Sequence, residues 1–410
     1  MKKFFALLLS LAMVLALVAC GQKDPTPDTP DTPDDPQTKV EYKVAMITDY
    51  GDITDQSFNQ TTYEACKAFA EDNSIEFSYF KPAGDNTADR VAMIEKAVDE
   101  GFNVIVMPGY AFGGAIVEAA PEFPDVKFIA LDVAAGDLLE TAVAKAGESY
   151  DFTPENWDLN KYVDMSNVYC AVYQEELCGY MAGYAAVKLG YKNLGFLGGM
   201  SVPAVVRYGY GFVQGVDAAA ADLGLTDVKL NYIYGGQFFG DADITAVMDT
   251  WYQGGTEVVF ACGGGIYTSA VDAAKKANAK VIGVDVDQAG VIAKYAGVDG
   301  MTVTSAMKGL YPATYDTLTD VIVNGNWDKY VGKIATLGLV SGTDPEANYV
   351  QIPMGDGTQW SDSFTQDDYK AMVKDMFDGK ITVSNNTSSD VSVADFATVI
   401  TVDDQGSIKG

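Results

Sequence analysis

The chain has 410 residues, a formal net charge of −30 and no histidine. Its length exceeds one ordinary hydrophobic core and suits two domains. The acidic excess argues against nucleic acid as a partner, because two polyanions repel each other. The lack of histidine excludes Ser-His-Asp and Cys-His catalysis and histidine-ligated zinc. We therefore expect a protein that is not an enzyme and has neither cofactor nor metal site.

Residues 1–19 are predicted to be a bacterial export signal. Two lysines precede the short apolar run "FFALLLSLAMVLALVA", the pattern of a cleaved signal rather than of a membrane span. The run ends in "LVAC", which matches the bacterial lipobox, so we expect lipid on Cys20. Two or more acyl chains suffice for stable anchoring at the extracytoplasmic face of the cell membrane. Residues 20–40, rich in Pro, Asp and Thr, predict an extended tether.

The remaining sequence alternates short apolar strands with helical patterns and repeats itself. The strand, loop and helix that start at Val44 match a second set that starts at Leu194, with Phe58 opposite Tyr208. A further match, from Asn103 and from Glu257, places Asp132 opposite Asp285. These patterns predict two doubly wound, Rossmann-like α/β lobes, whose strand-end loops face a shared cleft.

Aromatic and acidic residues follow the predicted strands on both sides of this cleft. Phe58 and Tyr208 could stack on the two faces of a flat ligand. Asp49, Asp132 and Asp285 end predicted strands, and their carboxylates accept hydrogen bonds from hydroxyl and ring N–H groups. This set favours a neutral ligand rich in donors, such as a sugar or a nucleoside. The competing interpretation, capping and turn formation, is the one we adopt for Asp52 and Asp55.

Four more residues complete the predicted site. Asn59 can both donate and accept, and could read the edge of a base. Gly263 and Gly264 would let backbone N–H groups approach a ligand closely. Lys308 could offset the acids and donate to a hydroxyl. The glycine segment lacks the GxxxxGK[ST] pattern, which argues against a phosphate-binding loop.

Five motifs, in order, resemble the basic membrane protein family of bacterial lipoproteins, which includes purine nucleoside receptors of ABC transporters. They are "TDYGDITDQSFNQ", "LGFLGGM", "VVFACGGG", "VIGVDVDQ" and "TSAMK". The resemblance implies a type I periplasmic-binding-protein fold with three hinge crossings. We expect an N-terminal lobe of residues 41–166 plus 286–330 and a C-terminal lobe of residues 167–285 plus 331–410.

The resemblance also implies roles for the candidate residues. Phe58 and Tyr208 would stack on the nucleobase, and Asp49 would contact it with Asn59 alongside. Asp285 would hold the ribose hydroxyls. The backbone of Gly263 or Gly264 and the side chain of Lys308 would assist Asp285. Asp132 would be the equivalent aspartate of the N-terminal lobe.

We therefore expect a lipid-anchored solute-binding protein that captures a nucleoside, with purines favoured, and delivers it to an ABC permease. The alternatives are a sugar or riboflavin receptor of the same fold, a nucleoside hydrolase that uses carboxylates, and a structural or adhesin protein. Residues 133–166 exceed the expected link and predict a lid or an added surface element. The four cysteines after Cys20 are expected to be buried free thiols, with Cys170–Cys178 as the one pair that could form a bridge.

Overall fold

The computed structural model describes residues 41–388 and 390–409. The predicted export signal, Cys20 and the tether of residues 20–40 lie outside the described residues. Among the helices of the described ranges, none combines the length and the apolar character that a membrane span requires.

Within the described ranges, strands and helices alternate along most of the chain. The strands are β1 (Lys43–Ile47), β2 (Glu76–Phe80), β3 (Val104–Pro108), β4 (Lys127–Leu131), β5 (Val168–Tyr173), β6 (Asn193–Gly198), β7 (Lys229–Tyr234), β8 (Val258–Cys262), β9 (Lys280–Asp285), β10 (Thr302–Lys308), β11 (Lys333–Leu337), β12 (Val350–Gln351) and β13 (Thr401–Ser407). The helices are α1 (Phe58–Asn73), α2 (Thr87–Asp99), α3 (Phe112–Ala119), α4 (Ala135–Lys145), α5 (Leu159–Tyr162), α6 (Glu175–Lys188), α7 (Pro203–Asp222), α8 (Ala242–Gln253), α9 (Tyr267–Ala277), α10 (Ala289–Ala296), α11 (Leu310–Leu318) and α12 (Gln366–Phe377).

Two parallel sheets form the cores of two lobes. The first has the order β11-β5-β4-β3-β1-β2 and the second the order β12-β10-β9-β8-β6-β7-β13, in which β12 alone runs antiparallel to its neighbour. In β1, Ala45 and Ile47 pack into one hydrophobic cluster and Val44 and Met46 into another, because side chains alternate between the faces of a sheet. Both faces are therefore buried, which explains the nearly continuous apolar runs of these strands.

The internal repeat corresponds to equivalent positions in the two sheets. Strand β1 lies between β3 and β2, and β6 lies between β8 and β7 in the same way. At the ends of β4 and β9, Asp132 and Asp285 both have positive φ angles, 58° and 66°. The predicted α/β architecture with two similar doubly wound lobes is thus confirmed.

Within residues 41–388 and 390–409, the chain crosses between the lobes three times, after Tyr173, after Lys308 and after Leu337, and the crossings lie close together. The N–H of Gln174 donates to the carbonyl of Leu337 at 3.0 Å, and that of Gly309 donates to Tyr349 at 2.7 Å.

The predicted lobe boundaries need correction at these crossings. Residues 168–173 and 333–337 belong to the first sheet and residues 302–308 to the second, the reverse of the expected division. Each chain segment adds one more strand to its own sheet before it crosses to the other lobe, since β5 pairs with β4 and β10 pairs with β9. The repeat itself ends before these strands, so it carried no information on their sheet.

Helices α6 and α7 of the second lobe are in close backbone contact through four glycines. A Cβ atom on Gly211 would lie 2.1 Å from the carbonyl oxygen of Glu176, and one on Gly179 would lie 2.3 Å from that of Tyr208. Gly183 and Gly215 make equally close approaches further along the pair. This contact places the first residues of α6 beside the first turns of α7, where the charged groups described below meet.

Residues 133–166 form the connection from β4 to β5 in the first lobe, and its first part belongs to the core, since Leu138 and Ala142 pack into a hydrophobic cluster. It contains α4, a 3-10 turn at Pro154–Asn156 and α5. The rings of Tyr150 and Trp157 meet edge to face, with centroids 5.7 Å apart. The four cysteines of the described ranges, including Cys170 and Cys178, are buried free thiols, as predicted.

Candidate functional site

A cavity of about 390 Å³ lies between the lobes, at the carboxyl ends of strands from both sheets. This is where ligands bind in open α/β sheets, and the volume falls within the usual range for small-molecule sites. All nine residues predicted from the sequence line it: Asp49, Phe58, Asn59, Asp132, Tyr208, Gly263, Gly264, Asp285 and Lys308. The segment of residues 133–166 contributes no lining residue to this cavity, so it is not a lid over it in this structure.

Polar contacts join the two lobes across the cavity. Ser57, just before α1, donates its hydroxyl to Asp285 Oδ2 at 2.5 Å. The side-chain amide of Gln288 donates to the carbonyl of Gln56 at 3.1 Å. Because both bonds connect strand-end loops of opposite lobes, opening the cleft would have to break them.

The loop after β1 is held by its own side chains. Asp49 Oδ1 accepts from the N–H groups of Tyr50 and Gly51, both at 2.6 Å. Asn59 Nδ2 donates to Asp49 Oδ1 at 3.2 Å and to Asp55 Oδ2 at 3.0 Å. Both amide protons of Asn59 are therefore used within the loop, so Asn59 orders the loop and offers a ligand no free donor in this conformation.

Asp55 has the local role expected of it. Its carboxylate accepts from the N–H groups of Ser57, Asn59 and Gln60 at 2.9, 2.9 and 3.1 Å, at the first turn of α1. An anion is favourable at a helix N-terminus. Burial raises the pKa of Asp55, and these N–H donors oppose the rise in pKa.

Phe58 is the first residue of α1 and is half-buried. It packs against hydrophobic clusters of both lobes. The ammonium of Lys308 lies 4.6 Å from the centroid of its ring, within the distance of a cation–π contact. Phe58 thus lies where the two lobes and the cavity meet.

Tyr208 departs from its predicted role. Its ring is only 1% exposed and meets Phe260 edge to face at 5.9 Å. Its hydroxyl donates to Asp285 Oδ1 at 3.3 Å. With so little of its ring exposed, Tyr208 presents no free face to a flat ligand and instead supports Asp285.

The second lobe presents two other aromatic rings to the cavity. Phe238 and Phe239 lie between β7 and α8; Phe238 is half-buried and Phe239 is 54% exposed. The ring of Phe238 covers Gly263, where a Cβ atom would lie 2.8 Å from it. Gly263 has φ 147°, a conformation that favours glycine, and the absence of a side chain there leaves room for the Phe238 ring beside backbone that lines the cavity.

A buried cluster of charges forms the wall of the cavity near the crossings. Lys308 Nζ lies 2.5 Å from Asp132 Oδ2, and 3.6 Å from both Asp285 Oδ1 and Glu175 Oε1. Arg207 Nε donates to Glu175 Oε2 at 2.6 Å. Burial alone would lower the pKa of Lys308, but the carboxylates of Asp132, Asp285 and Glu175 raise this pKa above its usual value. Lys308 therefore remains charged.

Asp132 has one oxygen without a hydrogen-bond donor among the described residues. Burial raises the pKa of Asp132, and the charge of Lys308 opposes that rise in pKa. Its Oδ1 is buried and accepts no hydrogen bond from the described residues. A buried acceptor without a donor is costly, so a ligand hydroxyl or amine at this point would satisfy it.

The polar atoms of the cavity are mainly acceptors. The lining residues supply four carboxyl groups and one ammonium. Among the described residues, no group of acidic or cysteine side chains could hold a metal ion. The arrangement suits a neutral ligand with several hydroxyl or N–H donors and a flat apolar part.

One family model matches residues 42–345 of the chain: Bmp, the PnrA-like ABC transporter substrate-binding proteins. The chain belongs to this family. The predicted relationship is thus confirmed, and the protein is a substrate-binding protein of ABC transporters, a family of binding proteins rather than of enzymes.

Individual relatives agree with this assignment. The ABC transporter nucleoside-binding protein BmpA of Lactococcus lactis subsp. cremoris is 25% identical over 389 residues, covering 92% of this chain and 96% of that protein. An uncharacterised lipoprotein of Pyrococcus abyssi is 26% identical over 316 residues, covering 74% of this chain and 69% of that protein. A solute-binding protein of an ABC transporter system from Aeropyrum pernix has a TM-score of 0.63 at 19% identity, covering 85% of this chain and 95% of that one. This last likeness shows the fold, and the predicted type I fold is confirmed.

In this Bmp family member, several lining or supporting residues were not predicted. Tyr50, Tyr110 and Phe239 line the cavity from strand-end loops, and an aromatic residue in such a loop was a usable signal. Glu175 and Arg207 are different, because they meet only through the packing of α6 on α7. No spacing in the sequence indicates that contact.

Proposed function

We propose that this protein is a lipid-anchored nucleoside receptor that loads an ABC permease. The observation that carries the proposal is the cavity between the lobes, which combines phenylalanine rings with acceptor-rich walls. A nucleoside has the matching parts, a flat base and a ribose with hydroxyl donors. The nucleoside-binding protein of Lactococcus lactis, a full-length relative, supports this choice of ligand.

We infer that the base stacks on Phe58 from the first lobe, with Phe238 or Phe239 of the second lobe facing it. The ribose would lie against Asp132, Asp285 and Lys308. There, the free Oδ1 of Asp132 can accept from a hydroxyl, and the Lys308 ammonium can donate to one. In this pose Asp49 and Asn59 would hold the loop that carries Phe58.

We also propose that Cys20 carries the lipid anchor and that the closed protein docks on its permease. The lipobox, the lipoprotein relative from Pyrococcus abyssi and membership of an ABC transporter family support this location and partner. Fractionation of producing cells tests the anchor: the protein is expected with membranes, and its Cys20→Ala variant in the soluble fraction.

Mass spectrometry of small molecules released from the freshly purified, denatured protein tests the ligand. We expect a nucleoside, and titration calorimetry with purified nucleosides, pentoses and riboflavin then ranks the classes. A pentose or riboflavin that binds more tightly than every nucleoside would replace the proposal by the alternative receptor.

A further inference from the structure

The loop of residues 235–240 carries both second-lobe phenylalanines of the cavity, and the side chain of Gln237 is one of the groups that hold it. Gln237 Nε2 donates to the carbonyl of Phe239 and to Asp241 Oδ2, both at 2.9 Å. Asp241 in turn caps α8 by accepting from the N–H of Ile244 at 3.0 Å. Backbone bonds also hold this loop, among them the N–H of Gly265, which donates to the carbonyl of Phe238 at 2.8 Å. The carbonyl of Phe239 is held by the side-chain amide of Gln237, whose own oxygen needs a donor.

The C-terminus supplies that partner. Lys409 Nζ donates to Gln237 Oε1 at 3.1 Å and forms an ion pair with Asp241. The N–H of Ile408 donates to the carbonyl of Tyr234, the last residue of β7, at 2.8 Å. The chain end therefore follows β7 to its carboxyl end and then contacts the loop that begins there.

Strand β13, which brings Lys409 to this place, is attached mainly by polar contacts. The buried carboxylate of Asp217 accepts from the N–H groups of Thr398 and Val399 at 2.8 Å and from that of Ile400 at 3.2 Å. Most side chains of β13 are exposed, so the strand adds little apolar burial to the core. It also lies beyond residue 345, where the match to the family model ends.

We propose that β13 and Lys409 position the loop of residues 235–240, so that Phe238 and Phe239 face the ligand. This inference rests on the proposed function, in which these rings contact a nucleoside. Lys409 is a positioning residue: it acts through Gln237 and Asp241 and lines no part of the cavity.

The test compares Lys409→Ala with Lys409→Arg in the otherwise unchanged protein. Titration calorimetry with adenosine, guanosine and inosine is expected to show affinity about three- to fivefold weaker for Lys409→Ala, the effect of one partly exposed ion pair. Lys409→Arg should restore most of it. Lys380→Ala is the matched control, because that exposed lysine pairs with Asp375 away from the cavity.

A second variant and a ligand-free measurement separate positioning from general stability. Gln237→Ala combined with Lys409→Ala should weaken binding by less than the product of the single effects, because both act on one contact. Hydrogen exchange without ligand should quicken at the amides of residues 235–240 in Lys409→Ala and stay unchanged in β8.

The outcomes distinguish this inference from the function on which it rests. If the unmodified protein binds no nucleoside, the proposed function fails, and the exchange of residues 235–240 still decides whether Lys409 holds the loop. If it binds nucleosides and Lys409→Ala binds them equally well, or exchange in the loop is unaltered, Lys409 does not position the loop.

Discussion

At the scale of single residues, Phe58 is the side chain whose loss should cost most affinity. It contacts the hydrophobic clusters of both lobes and lines the cavity. Replacing it by alanine removes one stacking face and a contact between the lobes. We expect Phe58→Ala to weaken nucleoside binding by about 1.5–3 kcal/mol, the range of a hot-spot anchor, as measured by titration calorimetry.

Tyr208→Phe is the matched control for this variant. It keeps the ring and removes only the hydroxyl that donates to Asp285. Because the ring is 1% exposed, we expect a smaller loss of affinity than for Phe58→Ala. A larger loss in Tyr208→Phe would mean that the cavity is used differently from our proposal.

Glu176 should make the stability of the protein depend on pH. It is 2% exposed and its Oε2 accepts no hydrogen bond from the described residues. Burial raises its pKa from 4.5 to about 7. Within that window the folded protein keeps a proton that the unfolded chain releases, so the free energy of unfolding falls as pH rises.

Glu176→Gln removes this ionisation. Relative to the unmodified protein, we expect the variant to gain free energy of unfolding as pH rises through the window, by at most about 1.4 kcal/mol per pH unit. Urea titrations at several pH values measure the difference. Glu118→Gln, at an exposed site on α3, should follow the unmodified protein; parallel curves for all three proteins would refute the prediction.

At the scale of elements, the contact between α6 and α7 depends on the absence of side chains at four positions. A Cβ atom on Gly211 would lie 2.1 Å from a backbone oxygen of α6, and backbone cannot move aside as a flexible side chain can. We expect Gly211→Ala to lower the free energy of unfolding by about 1–3 kcal/mol, the usual cost of overpacking. Chemical denaturation measures the change.

Gly290→Ala is the control for that substitution. Gly290 lies in α10, and a Cβ atom there would meet nothing within 4 Å. Alanine should therefore stabilise this helix slightly, by about 0.4–1 kcal/mol. Equal destabilisation by both substitutions would show that the close helix contact is not the cause.

The sequence predicted elements well where a local pattern repeats, and less well where packing decides. The alignment of Val44 with Leu194 located two equivalent strands correctly. The alignment was wrong about the role of Tyr208, because the two residues occupy different positions in their helices. Phe58 is the first residue of α1, whereas Tyr208 lies more than one helical turn after Pro203, the first residue of α7. The same residue offset therefore gives a half-buried ring in one lobe and a buried ring in the other.

The candidate site was predicted as a set of residues rather than as a network of bonds. All nine residues line one cavity, since strand-end loops of parallel sheets converge. The sequence could not show that Asn59 donates both amide protons to Asp49 and Asp55. Nor could it show that Lys308 forms an ion pair with Glu175. Those contacts depend on side-chain directions and on helix packing, which spacing along the chain does not determine.

At the scale of the whole molecule, ligand binding and closure of the two lobes are coupled equilibria. The bonds from Ser57 to Asp285 and from Gln288 to Gln56 join the lobes directly. A ligand that contacts both lobes adds to these bonds and shifts the protein toward the closed form. Binding affinity therefore includes the free energy of closure.

The negative charge of the whole molecule and of the cavity lining predicts that nucleotides are excluded from the cavity. The chain carries a formal net charge of −30, and four carboxyl groups face one ammonium in the cavity lining. A 5′-phosphate would bring further negative charge into this enclosed space. We expect a nucleoside 5′-monophosphate to bind at least about 100-fold more weakly than its nucleoside, which corresponds to about 2.7 kcal/mol.

Calorimetry with a neutral 5′-O-methyl nucleoside separates charge from size. If charge causes the exclusion, the methyl ether binds nearly as tightly as the nucleoside. Added salt then reduces the difference in affinity between the nucleoside and its monophosphate. If the ether and the monophosphate are rejected equally, the cavity excludes by shape, and its carboxyl groups serve hydrogen bonding alone. Tight binding of the monophosphate would contradict the assignment of Asp132 and Asp285 to a neutral ribose.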